Sequence, residues 1–299
     1  NTIHVMIVDL IAHGHATREF RTADPRLAAL AVTGMVTWVY NWYRPDGRLS
    51  PEEIAARLGR YGLLMVGLPE AGDPVPRSAG GRSGMTPGVA PYPPPATGSR
   101  AIKASPGARA ENPSRKLIVD AATSLFSRNG YERTTLDALA KHIGIAKPLI
   151  YEFFDSKQQL LAEICQHSAE LALEAIEQSY ALQGDPTEML RGAVDRFLGI
   201  QIAQQPNITI FRRERHHLPP DVVQRMRELN SAFDQILRTI LAEGAAKGEF
   251  AIDDIGAAAL AIAGVVGWTH SWFNARNPEQ ERAIRHGMAD LALRIARPD

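Results

Sequence analysis

"RTTLDALAKHIGIAKPLIYEFFDSKQQLL", Arg133–Leu161, holds two short helical patterns separated by very few residues. Thr134 and Thr135 can cap a helix running to about Ile143, with Asp137 as a loose capping-box partner. Gly144 supplies the residue that takes positive φ at a sharp turn. A second helix starts near Lys147, and Pro148 fits its first turn because that position needs no N–H. Ala140 is small enough to let the helices approach, and Ile150 fills the angle between them. This is the spacing of a helix-turn-helix, whose second helix presents its first residues to the major groove. A helical hairpin in an ordinary core uses the same spacing. Lys147, Tyr151 and Lys157, clustered on one short unit, favour the DNA-reading alternative. From Pro113 to Gln158 seven Lys/Arg face five Asp/Glu, so the basic excess is slight.

Working outward, the pattern stays helical and no strand alternation stands out, so the expected fold class is all-α. "SRKLIVDAATSLFSRNG" places Ile118, Ala122, Leu125 and Phe126 on one face and stops at Gly130. Further helices are expected at about 157–180, 186–204, 207–217, 220–247, 254–275 and 278–297. Before them, three more are expected at about 3–17, 25–43 and 51–66. Between Pro69 and Asn112, 16 of 44 residues are Pro or Gly, including "PYPPP" at Pro91–Pro95. That stretch has no apolar periodicity to repay its ordering entropy and reads as a linker.

The chain also repeats itself. "LIAHGHATREFRTADPRLAALAVTGMVTWVYNWY" from Leu10 returns as "ILAEGAAKGEFAIDDIGAAALAIAGVVGWTHSWF" from Ile240, 230 positions later without a gap. Gly14, Phe20, Asp24, Gly34, Trp38 and Trp42 thereby match Gly244, Phe250, Asp254, Gly264, Trp268 and Trp272. Residues 1–68 read as the last third of a unit whose whole copy fills about 113–299. The expected organisation is 1–68, C-terminal helices of a first unit; 69–112, linker; 113–158, helix-turn-helix; 159–299, helical ligand-binding and dimerisation domain. The first copy lacks its beginning, and a second reader is expected upstream of Asn1.

Composition excludes other classes. The 299 residues carry a formal net charge of zero, so any basic surface is local. Cys165 is the single cysteine, which rules out an intramolecular disulfide and fits a reducing, cytoplasmic setting. No apolar run reaches the roughly 18 residues of a membrane span, so no membrane partner is expected. Asn1 is not followed by a signal-peptide pattern, and the chain reads as a fragment or processed product. No P-loop, dinucleotide fingerprint, zinc-protease or serine-hydrolase motif is present, so an enzyme is not expected.

"RKLIVDAATSLFSRNGYERTTLDALAKHIGIAKPLIYEFFDSKQQLL" resembles the DNA-binding domain of the TetR family of bacterial transcription regulators. The resemblance covers about 46 residues: "FSRNGY", then "TT", then "IGIAKPLIYEFFDSKQQLL". It implies a ligand-responsive repressor of a double-stranded operator, in a tandem form known from some mycobacteria. It places Thr135 and Lys157 on DNA phosphates, Tyr151 on the backbone, and Lys147, Pro148 and Leu149 at the base-facing start of the recognition helix. Two residues depart from the family pattern. Ala146 replaces the usual capping Ser, and Glu152 stands where His is common. Glu152 would repel phosphate unless it accepts a hydrogen bond, for example from a cytosine amino group.

The remaining candidates come from spacing and composition. Gly34, Trp38 and Trp42, and Gly264, Trp268 and Trp272, each share a helix face at spacings of four. They are the expected interface of an intramolecular pseudo-dimer, with a homodimer as the alternative. Core packing explains such a stripe equally well. Phe197, Ile200, Ile210, Phe211 and His270 are candidates for lining a cavity for a small hydrophobic, lipid- or sterol-like effector. The other reading is a helical interaction or sensor protein that no longer binds DNA. "FRRERHH", Phe211–His217, suits an anion site, but more simply a charged helix end. His216-His217 and His13-Gly14-His15 lack zinc-site spacing, so neither metal nor cofactor is expected.

Overall fold

The computed structural model describes residues 2–43, 49–67, 113–273 and 277–297, with side chains omitted for 2, 3 and 40–42. The protein is all-α over these residues. The helices are α1 Thr2–Ala16, α2 Pro25–Trp42, α3 Pro51–Val66, α4 Pro113–Asn129, α5 Leu136–Ile143, α6 Lys147–Tyr151, α7 Lys157–Ala181, α8 Pro186–Ala203, α9 Gln205–Glu214, α10 Pro220–Ala246, α11 Ile255–Gly267 and α12 Pro278–Ala296. Short 3-10 turns follow α9 (Arg215–His217) and α11 (Thr269–Ser271). The expected linker, 69–112, lies outside the described residues.

The chain divides into two compact units. One contains α1, α2, α3, α11 and α12 with residues 178–202 and 234–246. Here α2 lies along α11, with α1 and α3 beside α2, and α12 against α2 and α3. The two repeated segments share their local geometry. Asp24 caps α2 by accepting from Arg26 N and Leu27 N, and Asp254 caps α11 by accepting from Ala257 N. Gly14 and Gly244 each lie under the ring of a phenylalanine six residues on, where a Cβ would collide with Phe20 or Phe250. Arg21 N donates to Val66 O at 2.8 Å, as Ala251 N does to Ala296 O at 2.9 Å.

One face differs between the segments. Met6 and Leu10 are 66% and 64% exposed, whereas their counterparts Ile236 and Ile240 are fully buried. In the second segment residues 178–202 are fastened to α10 and α12. Tyr180 donates to Glu243 at 2.9 Å, Arg191 to Asp290 at 2.6 Å, and Arg285 to Asp195 at 2.5 and 2.9 Å. In the first segment the corresponding face is an apolar groove of about 720 Å³, lined by Ile7, Leu10, Val36, Ile54 and Leu63 among others.

The expected helix over 254–275 is shorter. It ends at Gly267, because side chains next to it compete for its last carbonyls. His270 Nδ1 lies 2.8 Å from Gly267 O, and Ser271 Oγ donates to Trp268 O at 2.7 Å. Trp272 therefore stands beyond the helix, packed edge-on against Phe273, and does not continue the face of Gly264. In the first segment α2 runs on to Trp42, whose side chain lies outside the described residues.

The second unit contains α4, α5, α6, α9 and the adjoining parts of α7 and α10. Ile118, Ala122, Phe126, Leu139, Ile150, Phe154 and Leu160 form its buried centre. Arg115 stacks on the Phe154 ring at 4.5 Å and pairs with Glu163 at 3.1 Å, which fastens α4 to α7.

Candidate nucleic-acid interface

The α5–α6 pair follows from its sequence. Thr135 sits in extended backbone and its hydroxyl oxygen accepts from Ala138 N at 3.1 Å. Thr134 turns inward and donates to Gly130 O at 2.8 Å, so it closes the preceding turn instead of capping. Gly144 takes φ of 81°, and both its N–H and that of Ile145 reach Ala140 O. Two donors on one carbonyl make the turn tight. Ala140 and Ile150 are buried in the angle between the helices. Ala146 begins α6 with no side-chain cap, the loss expected from its missing hydroxyl.

The outer face carries the candidate readers. Pro148, Tyr151 and Glu152 are exposed, and Leu149 is half-buried. Lys147 Nζ donates to Asp137 Oδ2 at 2.8 Å, and this bond holds the ammonium above its ordinary pKa. Asp137 is thus spent on the recognition helix and not on a capping box. Both side chains are well exposed, so water and salt compete for the pair and an incoming base or phosphate can displace it.

Lys157 is held from within. Its Nζ donates to Tyr131 O at 3.0 Å and lies 4.2 Å from the Tyr131 ring centre. A longer contact, 3.4 Å, reaches Glu132 O. The lysine braces the turn that leads into α5. Burial, then the nearby Glu132 and Glu214 carboxylates, raise the Tyr131 hydroxyl above its usual pKa. Gln158 Nε2 donates to His217 O at 2.7 Å, joining the start of α7 to the end of α9. Tyr131 and Glu132 were not singled out from sequence as partners, and His217 was weighed only as an anion or metal candidate. They are distant along the chain, and only the isolated "GYE" and "RHH" hinted at them.

The other candidates fall in different places. Ile210 is buried in the core beneath the reader, and Phe211 packs on that core. Phe197, Ile200 and His270 belong to the other unit, where His270 is buried. Gly34, Trp38, Gly264 and Trp268 do come together. A Cβ on Gly34 would stand 3.3 Å from Trp268 Cβ, and one on Gly264 would stand 3.1 Å from Trp38 Cβ.

Residues 118–164 match the profile of bacterial regulatory proteins of the tetR family. Residues 1–66 and 183–296 match the tetracyclin repressor-like C-terminal domain, and these segments alone make up more than half the chain. The chain belongs to the tetR family. Among curated relatives, it is 23% identical over 139 residues to the fatty acid metabolism regulator protein of Bacillus subtilis, covering 46% of this chain and 72% of that one. It is 29% identical over 83 residues to the transcriptional activator FasR of Mycolicibacterium smegmatis, covering 28% and 38%. The crystal structure of PfmR, a TetR-family regulator from Thermus thermophilus, aligns with a TM-score of 0.55 at 27% identity, over 59% of this chain and 97% of that one. As a tetR-family member, this chain is a DNA-binding transcription regulator. Among its described residues no helix is long and apolar enough to cross a membrane.

Proposed function

We propose that this regulator is a repressor released from its operator by a hydrophobic, lipid- or sterol-like effector. The α5–α6 pair carries the reading, because it exposes Pro148, Tyr151 and Glu152 beside the half-buried Lys147. Lys147 and Leu149 read base edges, Glu152 accepts from a cytosine amino group, and Thr135, Tyr151 and Lys157 face the backbone. Residues 113–158 form the reader and 159–299 the sensing domain, joined through the 69–112 linker to residues 1–68. The packing of α2 on α11 supports an intramolecular pseudo-dimer in place of a homodimer of chains.

Three observations favour an apolar effector. One relative is by name a fatty acid metabolism regulator protein. The groove between α1, α2 and α3 offers about 720 Å³ of apolar space, within residues 7–66 and not within 159–299. Gln201 Oε1, Thr269 Oγ1 and Trp272 Nε1 are buried without a hydrogen-bond partner among the described residues. Such atoms, in the unit that holds Phe197, Ile200 and His270, suit the polar end of an amphipathic ligand. An effector that releases DNA must bind the DNA-free form more tightly.

The test is fluorescence anisotropy on operator DNA selected from the upstream region, with fatty acids, acyl thioesters and steroids added in turn. The reading expects sequence-specific binding that one of these classes weakens at least ~10-fold, a coupling of about 1.4 kcal/mol. Binding of equal strength to any DNA sequence favours the helical interaction protein. Analytical ultracentrifugation decides assembly: the pseudo-dimer stays at 32.7 kDa, and the homodimer doubles it.

A further inference from the structure

The end of α9 and the turn before α5 bring together groups that DNA reading does not use. Glu214, His216 and His217 hold their donor atoms within 4.8 Å of one another. Glu132, from the α4–α5 turn, places Oε1 3.1 Å from His217 Nε2, and Glu214 Oε2 lies 3.7 Å from the same nitrogen. The two imidazole rings lie 4.0 Å apart between centres, tilted by 42°. We propose that Glu132, Glu214, His216 and His217 form a site for a divalent transition cation of the zinc class.

Chemistry and spacing agree. Ligands about 2.0–2.2 Å from a tetrahedral zinc stand roughly 3.3–3.6 Å from each other. The two His217–carboxylate separations bracket that range, and the exposed Glu132 side chain must swing toward the other three donors to complete the set. Two imidazoles with two carboxylates are a borderline donor set, suited to zinc over magnesium or calcium. The two carboxylates neutralise a dication. The Lys157 ammonium is directed at the Tyr131 and Glu132 backbone carbonyls. His216 is exposed, so a cation reaches the site from solvent.

The site has a mechanical consequence. Glu132 lies three residues before Thr135, the cap of α5, while the other three ligands end α9. A bound cation ties the turn entering the reader to the end of α9, alongside the bond from Gln158 to His217 O. The site is independent of whether the reader binds DNA.

The test uses the full chain, freed of metal by chelation and then dialysed. Zinc is titrated against a chromophoric competitor, and cobalt(II) reports geometry through its visible absorption. The expected result is one cation per chain, tetrahedral cobalt bands, and slower hydrogen exchange over residues 130–135 when zinc is added. His216→Ala and His217→Ala each weaken binding at least ~10-fold, and Glu132→Gln does so while abolishing the slower exchange. Zinc-free melting of His216→Ala should equal that of the parent, because His216 is exposed. No zinc uptake overturns the site. So does uptake that the double histidine variant leaves unchanged, which places the metal elsewhere. Unaltered affinity and exchange in Glu132→Gln overturn the cross-link.

Discussion

Gly264→Ala tests how closely α2 and α11 approach. A Cβ at Gly264 would stand 2.8 Å from Met35 Cα and 3.1 Å from Trp38 Cβ. Ordinary carbon contacts need about 3.5–4.0 Å. The obstructing Met35 atom is backbone, so no rotamer change relieves it and the helices must separate. Overpacking of this kind costs about 1–3 kcal/mol. Replacing glycine by alanine inside a helix returns about 1 kcal/mol. Gly264→Ala should therefore destabilise modestly. Gly59, inside α3, is the control: nothing lies within 4 Å of its would-be Cβ, so Gly59→Ala should stabilise by up to about 1 kcal/mol. The difference between the two variants isolates the packing contribution, about 1–3 kcal/mol. Gly34→Ala collides with Gly264 O at 2.9 Å, and the separation that admits one methyl admits the other. The double variant should thus cost less than the sum of the singles. All four tryptophans lie in the repeated segments, so fluorescence during urea unfolding reports on this contact, read as a midpoint shift at constant slope. If Gly264→Ala behaves like Gly59→Ala, the close approach of α2 and α11 is wrong.

Further outcomes follow from the reader and the core. Lys147→Ala with Leu149→Ala should remove operator preference and leave weak binding to any duplex, measured by competition with unrelated DNA; full preference in this variant removes α6 as the base reader. Asp137→Asn frees the Lys147 ammonium and should tighten DNA binding at low salt. Thr135→Ala should cost about 1 kcal/mol as a lost N-cap, with Thr135→Ser close to the parent in thermal unfolding. The Tyr61 hydroxyl is pushed up to about 12 from 10, by burial first and then by Asp254. Its folded pKa is raised, so this stability is intact below pH 10 and lost as pH climbs toward 12. Tyr61→Phe should flatten that alkaline decline in a pH series of urea midpoints.

The reader was legible because its constraints are local. Gly144, Pro148, Ala140 and Ile150 act within one or two turns, and each sits where its chemistry requires. Asp24 and Asp254, 230 positions apart, announced the same cap twice. Trp272 was misplaced because spacing alone carries a helix onward, whereas His270 and Ser271 end it by bonding back to Gly267 and Trp268. The first segment has Tyr40 and Asn41 at those positions, and its helix continues. Spacing and composition could not tell that Ile210 and Phe211 pack in a different unit from Phe197, Ile200 and His270, because apolar residues look alike wherever they pack. Lys157 was expected on a phosphate, and its bonds to Tyr131 and Glu132 depend on a turn some 25 residues away. The Glu132–His217 neighbourhood spans still more sequence and has no local periodic signature.

The contact of α2 on α11 has a bearing on inheritance. When identical copies associate, one codon change alters both sides at once. Here the facing helices are written separately, so each drifts alone. One runs to Trp42 and the other stops at Gly267; one flank exposes Met6 and the other buries Ile236. In the proposed pseudo-dimer, one peptide chain carries both faces, so dilution would not separate them.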